Sequence, residues 1–183
     1  RDDIERAGII VGIDSVIDKV KESYFKCVAE EGPIGASPVL FPYTSANVLA
    51  ARATIDLGIK GPDITIVSGV LSFLKAVSYA FCLVSSGRIK LAIAAGVIEG
   101  AAVSMLLGLE RSDSSITDAI ESREGAVSEI IMSTSMGETF SLLERALNAG
   151  VDASFVAADS SGNIVRIGLC FEKSLPLKEE AFA

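Results

Sequence analysis

The sequence contains no histidine and no tryptophan among its 183 residues. Histidine is the usual general base at neutral pH, the commonest zinc ligand and the group that activates a catalytic serine or cysteine. Its absence excludes Ser-His and Cys-His pairs within this chain. Any catalysis would have to use carboxylates, lysines or unactivated hydroxyls.

Basic clusters and long apolar runs are also missing. The net charge is −8 at pH 7, so the sequence predicts no surface that would gather the phosphates of nucleic acid or of an anionic membrane. The longest apolar segment, residues 89–109, is interrupted by Lys90 and Glu99. It therefore falls short of the roughly 18 uncharged residues that a spanning helix needs. We expect neither nucleic acid nor a membrane as a partner.

The cysteines are few and far apart. Cys27, Cys82 and Cys170 form an odd set with no C-x-x-C pair, a pattern typical of reduced thiols. The first residues, "RDDIERAG", lack the apolar core of a signal peptide. These features predict a cytoplasmic protein.

Cofactor and metal motifs are not found either. The sequence has no G-x-G-x-x-G segment and no phosphate-binding loop with a lysine. The acidic residues Asp113, Asp118, Glu121 and Glu124 lack the spacing of a calcium loop. They are interpreted as a solvated surface, and no cofactor or metal is predicted.

The residues that are present suit one globular domain over residues 1–183. Half of them are apolar and 22% are charged, which argues against disorder. Predicted strands lie at 7–13, 63–69, 89–96, 126–133, 153–159 and 164–172, and predicted helices at 14–31, 43–58, 70–86 and 137–150. Residues 110–125 are polar and are interpreted as an exposed excursion, whereas the tail 173–183 has no assignment.

The middle of the chain predicts the fold class. Strand 63–69 is followed by apolar residues at helical spacing, namely Val70, Leu74, Val77, Phe81 and Val84. A second strand at 89–96 is apolar throughout, as expected for a strand covered on both faces. Strand, helix and strand form a βαβ unit, which implies a right-handed crossover and a parallel sheet. The class is α/β.

Spaced motifs between residues 36 and 99 carry a family resemblance. They read "ASPVLFPYTSANVLAARATIDLGIKGPDITI" and then "VSGVLSFLKAVSYAFCLVSSGRIKLAIAAGVIE". This segment, about a third of the chain, resembles the N-terminal half of the β-ketoacyl synthases, the condensing enzymes of fatty-acid and polyketide synthesis. The matching positions are Ser37, Pro38, Pro42, Asn47, Ala50, Gly58, Lys60, Gly61, Pro62, Gly87, Gly96 and Glu99. From residue 111 onward the match is loose.

The resemblance implies a fold and an interface. The fold is thiolase-like, a mixed sheet with flanking helices in three layers. In that family the strand before the nucleophile pairs antiparallel with its mate at a dimer two-fold axis. The loop around Phe41-Pro42-Tyr43 and the helix from Val70 would complete the contact. The implied interface residues are Asp63, Ile64, Thr65, Ile66, Val67, Ser68 and Gly69.

The same resemblance points to a missing catalytic group. Active members place a cysteine at the start of the helix, where the helix dipole favours thiolate and backbone N–H groups help form an oxyanion hole. Counted without gaps from Gly61-Pro62, that position is Val70. Valine cannot attack a thioester. The family's histidines, which come from its C-terminal half, are absent from this chain as well, so ordinary condensation is not expected.

Three other side chains in or before the helix, those of Cys82, Ser72 and Ser68, are candidate nucleophiles. Cys82 lies twelve residues beyond Val70 and is interpreted as structural. Ser72 and Lys75 spell S-x-x-K, the motif of some serine–lysine hydrolases, but the other elements of those enzymes are missing. Ser68 has no histidine to activate it. No catalytic residue is assigned.

Three functional hypotheses remain. The first is a non-catalytic ketosynthase-like subunit, resembling a chain-length factor, that dimerises with itself or with a ketosynthase-like chain and acts with acyl carrier protein in fatty-acid or polyketide assembly. The second is a stand-alone module that binds an acyl chain or acyl thioester, with Val70 and Phe73 facing the chain. The third is a structural remnant with an unrelated role, because a fold does not fix a function.

Overall fold

The computed structural model describes residues 2–108, 115–118, 130–133, 135–149, 153–158 and 164–170. The helices are α1 (Asp2–Glu5), α2 (Asp18–Glu31), α3 (Val48–Leu57), α4 (Ser72–Ser85) and α5 (Met136–Ala149). The strands are β1 (Gly8–Ile13), β2 (Asp63–Val67), β3 (Leu91–Ile98), β4 (Ala101–Gly108), β5 (Ser115–Asp118), β6 (Ile130–Ser133), β7 (Ala153–Ala158) and β8 (Ile164–Cys170).

The first sheet has the order β2-β1-β3-β4. β1 pairs parallel with both β2 and β3, and β4 pairs antiparallel with β3. The predicted βαβ unit of β2, α4 and β3 is therefore confirmed, with β1 lying between its two strands. The antiparallel strand makes the sheet mixed, as the family resemblance implies.

Helices cover both faces of this sheet. Ile9, Val11 and Ile13 of β1 are buried in one apolar cluster with Ala50 of α3. Because side chains alternate along a strand, Ile10 points to the opposite face and is buried in the cluster that contains most of α4. α3, the first sheet and α4 form three successive layers, and a second sheet adds a further layer.

A second sheet lies beyond α4. Its order is β5-β8-β7-β6. β7 pairs parallel with β6, and it pairs antiparallel with β8, as the two strands of a hairpin must. α4 contacts β8 as well as β1 and β3, and α5 contacts β6 and β7. The two helices therefore lie between the sheets. The predicted hairpin is confirmed; most of the predicted excursion (110–114 and 119–125) and the tail lie outside the described residues.

Several predicted element ends are wrong. The helix predicted from residue 14 begins at Asp18, after a 3₁₀ turn at Ser15–Ile17, and the helix predicted from residue 43 begins at Val48, after a 3₁₀ turn at Phe41–Thr44. Pro42 has no N–H to donate, so this segment forms a short turn before the helix begins. α2 contains no fully buried residue.

Two glycines bring α4 close to the sheet. Gly12 of β1 and Gly96 of β3 are paired in register, and neither has a side chain to hold the helix away. A Cβ built at Gly12 would lie 2.3 Å from the carbonyl oxygen of Ser72, the first residue of α4. The glycine pair thus forms a notch in which the first turn of α4 lies.

We expect Gly12→Ala to destabilise the fold by about 3 kcal/mol, because the obstacle is backbone and cannot rotate away. The corresponding fall in the thermal midpoint is roughly 6–12 °C for a chain of this length. Thermal and urea unfolding of the variant measure this change. A loss below about 1 kcal/mol would mean that α4 does not pack this closely on β1.

Candidate functional site

The residues just before β2 fix its position against the N-terminal segment. Lys60 donates its backbone N–H to the carbonyl oxygen of Glu5 and its ammonium to the Glu5 carboxylate at 2.8 Å. This hydrogen bond and the positive charge of Lys60 lower the pKa of the Glu5 carboxyl. A Cβ at Gly61 would lie 2.1 Å from the carbonyl oxygen of Ala7. The Lys-Gly-Pro motif therefore serves close packing at the start of the strand.

β2 lies at one edge of the first sheet, with β1 as its neighbour. Ile64 and Ile66 pack against the cluster around α4, whereas Val67 remains 62% exposed. Partial burial raises the pKa of the Asp63 carboxyl. The strand ends at Val67, two residues earlier than predicted, and Ser68 and Gly69 belong to the turn that follows.

A short 3₁₀ turn, Gly69–Leu71, connects β2 to α4. Gly69 has a φ of +53°, which a residue with a side chain adopts only at a cost. Val70 lies at the centre of this turn, directly before α4, and packs half-buried against the core cluster. The position that the family resemblance gives to a nucleophilic cysteine is thus at a helix N-terminus, and its side chain is aliphatic.

Three polar side chains surround the turn. The hydroxyl of Ser72 accepts the backbone N–H of Ser68 at 2.7 Å, and the ammonium of Lys75 donates to the hydroxyl of Ser68 at 2.6 Å. Ser72 has no solvent exposure. The serine of the S-x-x-K motif therefore closes the turn, and its lysine bonds to a different serine. This hydrogen-bonding pattern stabilises the strand-to-helix connection.

Phe73 occupies the space behind the turn. It is only 1% exposed and meets Phe140 of α5 edge to face, with ring centroids 5.3 Å apart and planes at 86°. A Cβ at Gly96 would lie 2.8 Å or less from carbon atoms of both rings. Phe73, which was predicted to face an acyl chain, is therefore packed against other side chains of the protein.

The remaining candidates lie away from this turn. Cys82 is an exposed free thiol near the end of α4, roughly 18 Å along the helix from Val70. Cys27 is also a free thiol. Within the residues whose placement is described, no three His, Cys, Asp or Glu side chains are grouped so that they could hold a metal ion. None of the helices described there has the length and apolar character needed to cross a membrane.

An exposed apolar surface lies on α2 and the loop after it. Five exposed apolar or aromatic side chains lie there, namely Phe25, Ile34, Val39, Phe41 and Tyr43. The ring centroids of Tyr24 and Phe41 are 5.9 Å apart. A concentration of exposed apolar side chains in one region is typical of a contact surface. This surface includes the Phe41-Pro42-Tyr43 loop that the family resemblance assigns to the interface.

Comparison with known proteins bears on the whole of this region. A curated relative, the 3-oxoacyl-[acyl-carrier-protein] synthase 2 of Synechocystis sp., is 30% identical over 92 residues, which cover 50% of this chain. The matched segment is 22% of that relative, so the chain matches about a fifth of its length.

Two solved structures share the fold over nearly the whole chain. The ishigamide ketosynthase/chain length factor aligns over 91% of this chain and 73% of its own, with a TM-score of 0.66 at 14% identity. A ketosynthase (ApeO) in complex with its chain length factor (ApeC) from Xenorhabdus doucetiae aligns over 90% of this chain and 69% of its own, with a TM-score of 0.61 at 16% identity. At sequence identities this low, the structural similarity establishes the fold alone.

The family model of the β-ketoacyl synthase N-terminal domain matches residues 2–138. The match includes the Lys-Gly-Pro motif, β2, the turn at Val70 and the whole of α4, and it extends well beyond the segment that carries the resemblance in the sequence. The thiolase-like arrangement of a mixed sheet and flanking helices agrees with it. The chain therefore belongs to the β-ketoacyl synthase N-terminal domain family.

Proposed function

We propose that this protein is a non-condensing ketosynthase-like subunit that acts by associating with another ketosynthase-like chain in fatty-acid or polyketide assembly. Its role resembles that of a chain-length factor, and acyl carrier protein is an expected further partner. The location is proposed to be cytoplasmic. The observation that carries the proposal is Val70, an aliphatic side chain in the turn before α4 where the family's nucleophile would stand.

Chemistry supports the first part of the proposal. Condensation in this family begins with transfer of an acyl group to a thiolate, and a helix N-terminus favours that thiolate. Val70 has no atom that can accept an acyl group. Lys75 donates a hydrogen bond to Ser68 and Ser72 is buried, so both hydroxyls at the turn already have structural roles. These hydrogen bonds stabilise the turn, and none of them needs a catalytic side chain at position 70.

Among the described residues no strand pairs with the outer edge of β2, and this edge supports the second part of the proposal. An edge strand presents unpaired N–H and C=O groups and invites pairing with another chain. β2 is only five residues long, and its side chain at Val67 is apolar and exposed. Pairing with a partner strand would satisfy the backbone groups and bury this side chain.

The acyl-binding module is the weaker candidate on the present geometry. An acyl chain beside Val70 would need the volume that Phe73 and Phe140 fill over Gly96. Moving either ring out of a packed core costs several kcal/mol. Acyl binding would therefore require a rearrangement, whereas strand pairing at β2 requires none.

Co-purification tests the proposal. The chain is expressed with a tag, alone and together with ketosynthases and carrier proteins from the same source. We expect a stable complex with a ketosynthase-like chain and no bound acyl group in the native mass spectrum. Failure to bind any synthase or carrier protein, together with retention of an acyl ligand, would contradict the partner role and favour the binding module.

A further inference from the structure

We draw no further inference here: the strongest candidate, the exposed apolar surface on α2 and the loop after it, contains the Phe41-Pro42-Tyr43 loop that the family resemblance already assigns to the dimer contact, and nothing among the described residues shows what would cover the rest of it.

Discussion

Val67→Asp is expected to abolish association through β2 and to leave a folded monomer. The substitution puts a carboxylate on the strand that we propose to pair with another chain, and in such a contact the carboxylate would lose its hydration. We expect the dissociation constant to rise at least about 100-fold, or roughly 2.7 kcal/mol. Light scattering over a concentration series measures the mass.

Leu106→Asp is the matched control for this experiment. Leu106 is on β4, at the opposite edge of the same sheet, and is 70% exposed, comparable to Val67. Both substitutions replace an exposed apolar side chain by the same charge on an edge strand. If Leu106→Asp dissociates the complex and Val67→Asp does not, the interface lies at β4 and the account is wrong.

Phe73→Ala is expected to give the largest loss of folding stability. Phe73 is among the largest fully buried side chains described, and it supports Phe140 across the two-glycine notch. Removing a buried phenyl ring leaves a cavity and typically costs 3–5 kcal/mol. For a chain of this length we expect the thermal midpoint to fall by roughly 10 °C or more, measured by circular dichroism.

Phe25→Ala provides the comparison for that variant. Phe25 lies on α2 and is 60% exposed, so the same substitution there should change the unfolding free energy by less than about 0.5 kcal/mol. Equal losses at both positions would indicate that Phe73 does not occupy a packed core. The contrast tests the claim that the space behind the turn is filled by protein.

The βαβ unit could be predicted from the sequence because its signals are local. The apolar residues from Val70 to Val84 repeat at helical spacing, and in the structure Leu74, Val77 and Val84 are buried. The strands on either side are apolar and bounded by glycine or proline. Local periodicity is enough to specify these elements.

β4 was not predicted, although a signal for it exists. Ala101–Gly108 follows β3 after only Glu99 and Gly100, and Gly100 has a φ of +79°. A two-residue connection with a glycine between two apolar runs is typical of a hairpin. In the sequence, β3, the two-residue connection and β4 form one apolar segment, 89–109. Its continuous apolar character hides the boundary between the two strands.

Contacts that depend on register could not be predicted. Gly12 and Gly96 are far apart in the sequence, and only their pairing between β1 and β3 creates the notch that receives α4. Likewise, S-x-x-K spacing pointed to Ser72 as the partner of Lys75, whereas the folded turn brings Ser68, seven residues before the lysine, to its ammonium. These arrangements are fixed by tertiary packing.

Acyl labelling tests most directly whether the turn at Val70 is without nucleophilic chemistry. The intact chain is incubated with an acyl thioester beside an active ketosynthase, and both are examined by mass spectrometry. The account predicts a covalent acyl adduct on the active synthase and an unchanged mass for this chain. A stoichiometric adduct on this chain, mapped to Ser68, Ser72 or Cys82, would contradict it.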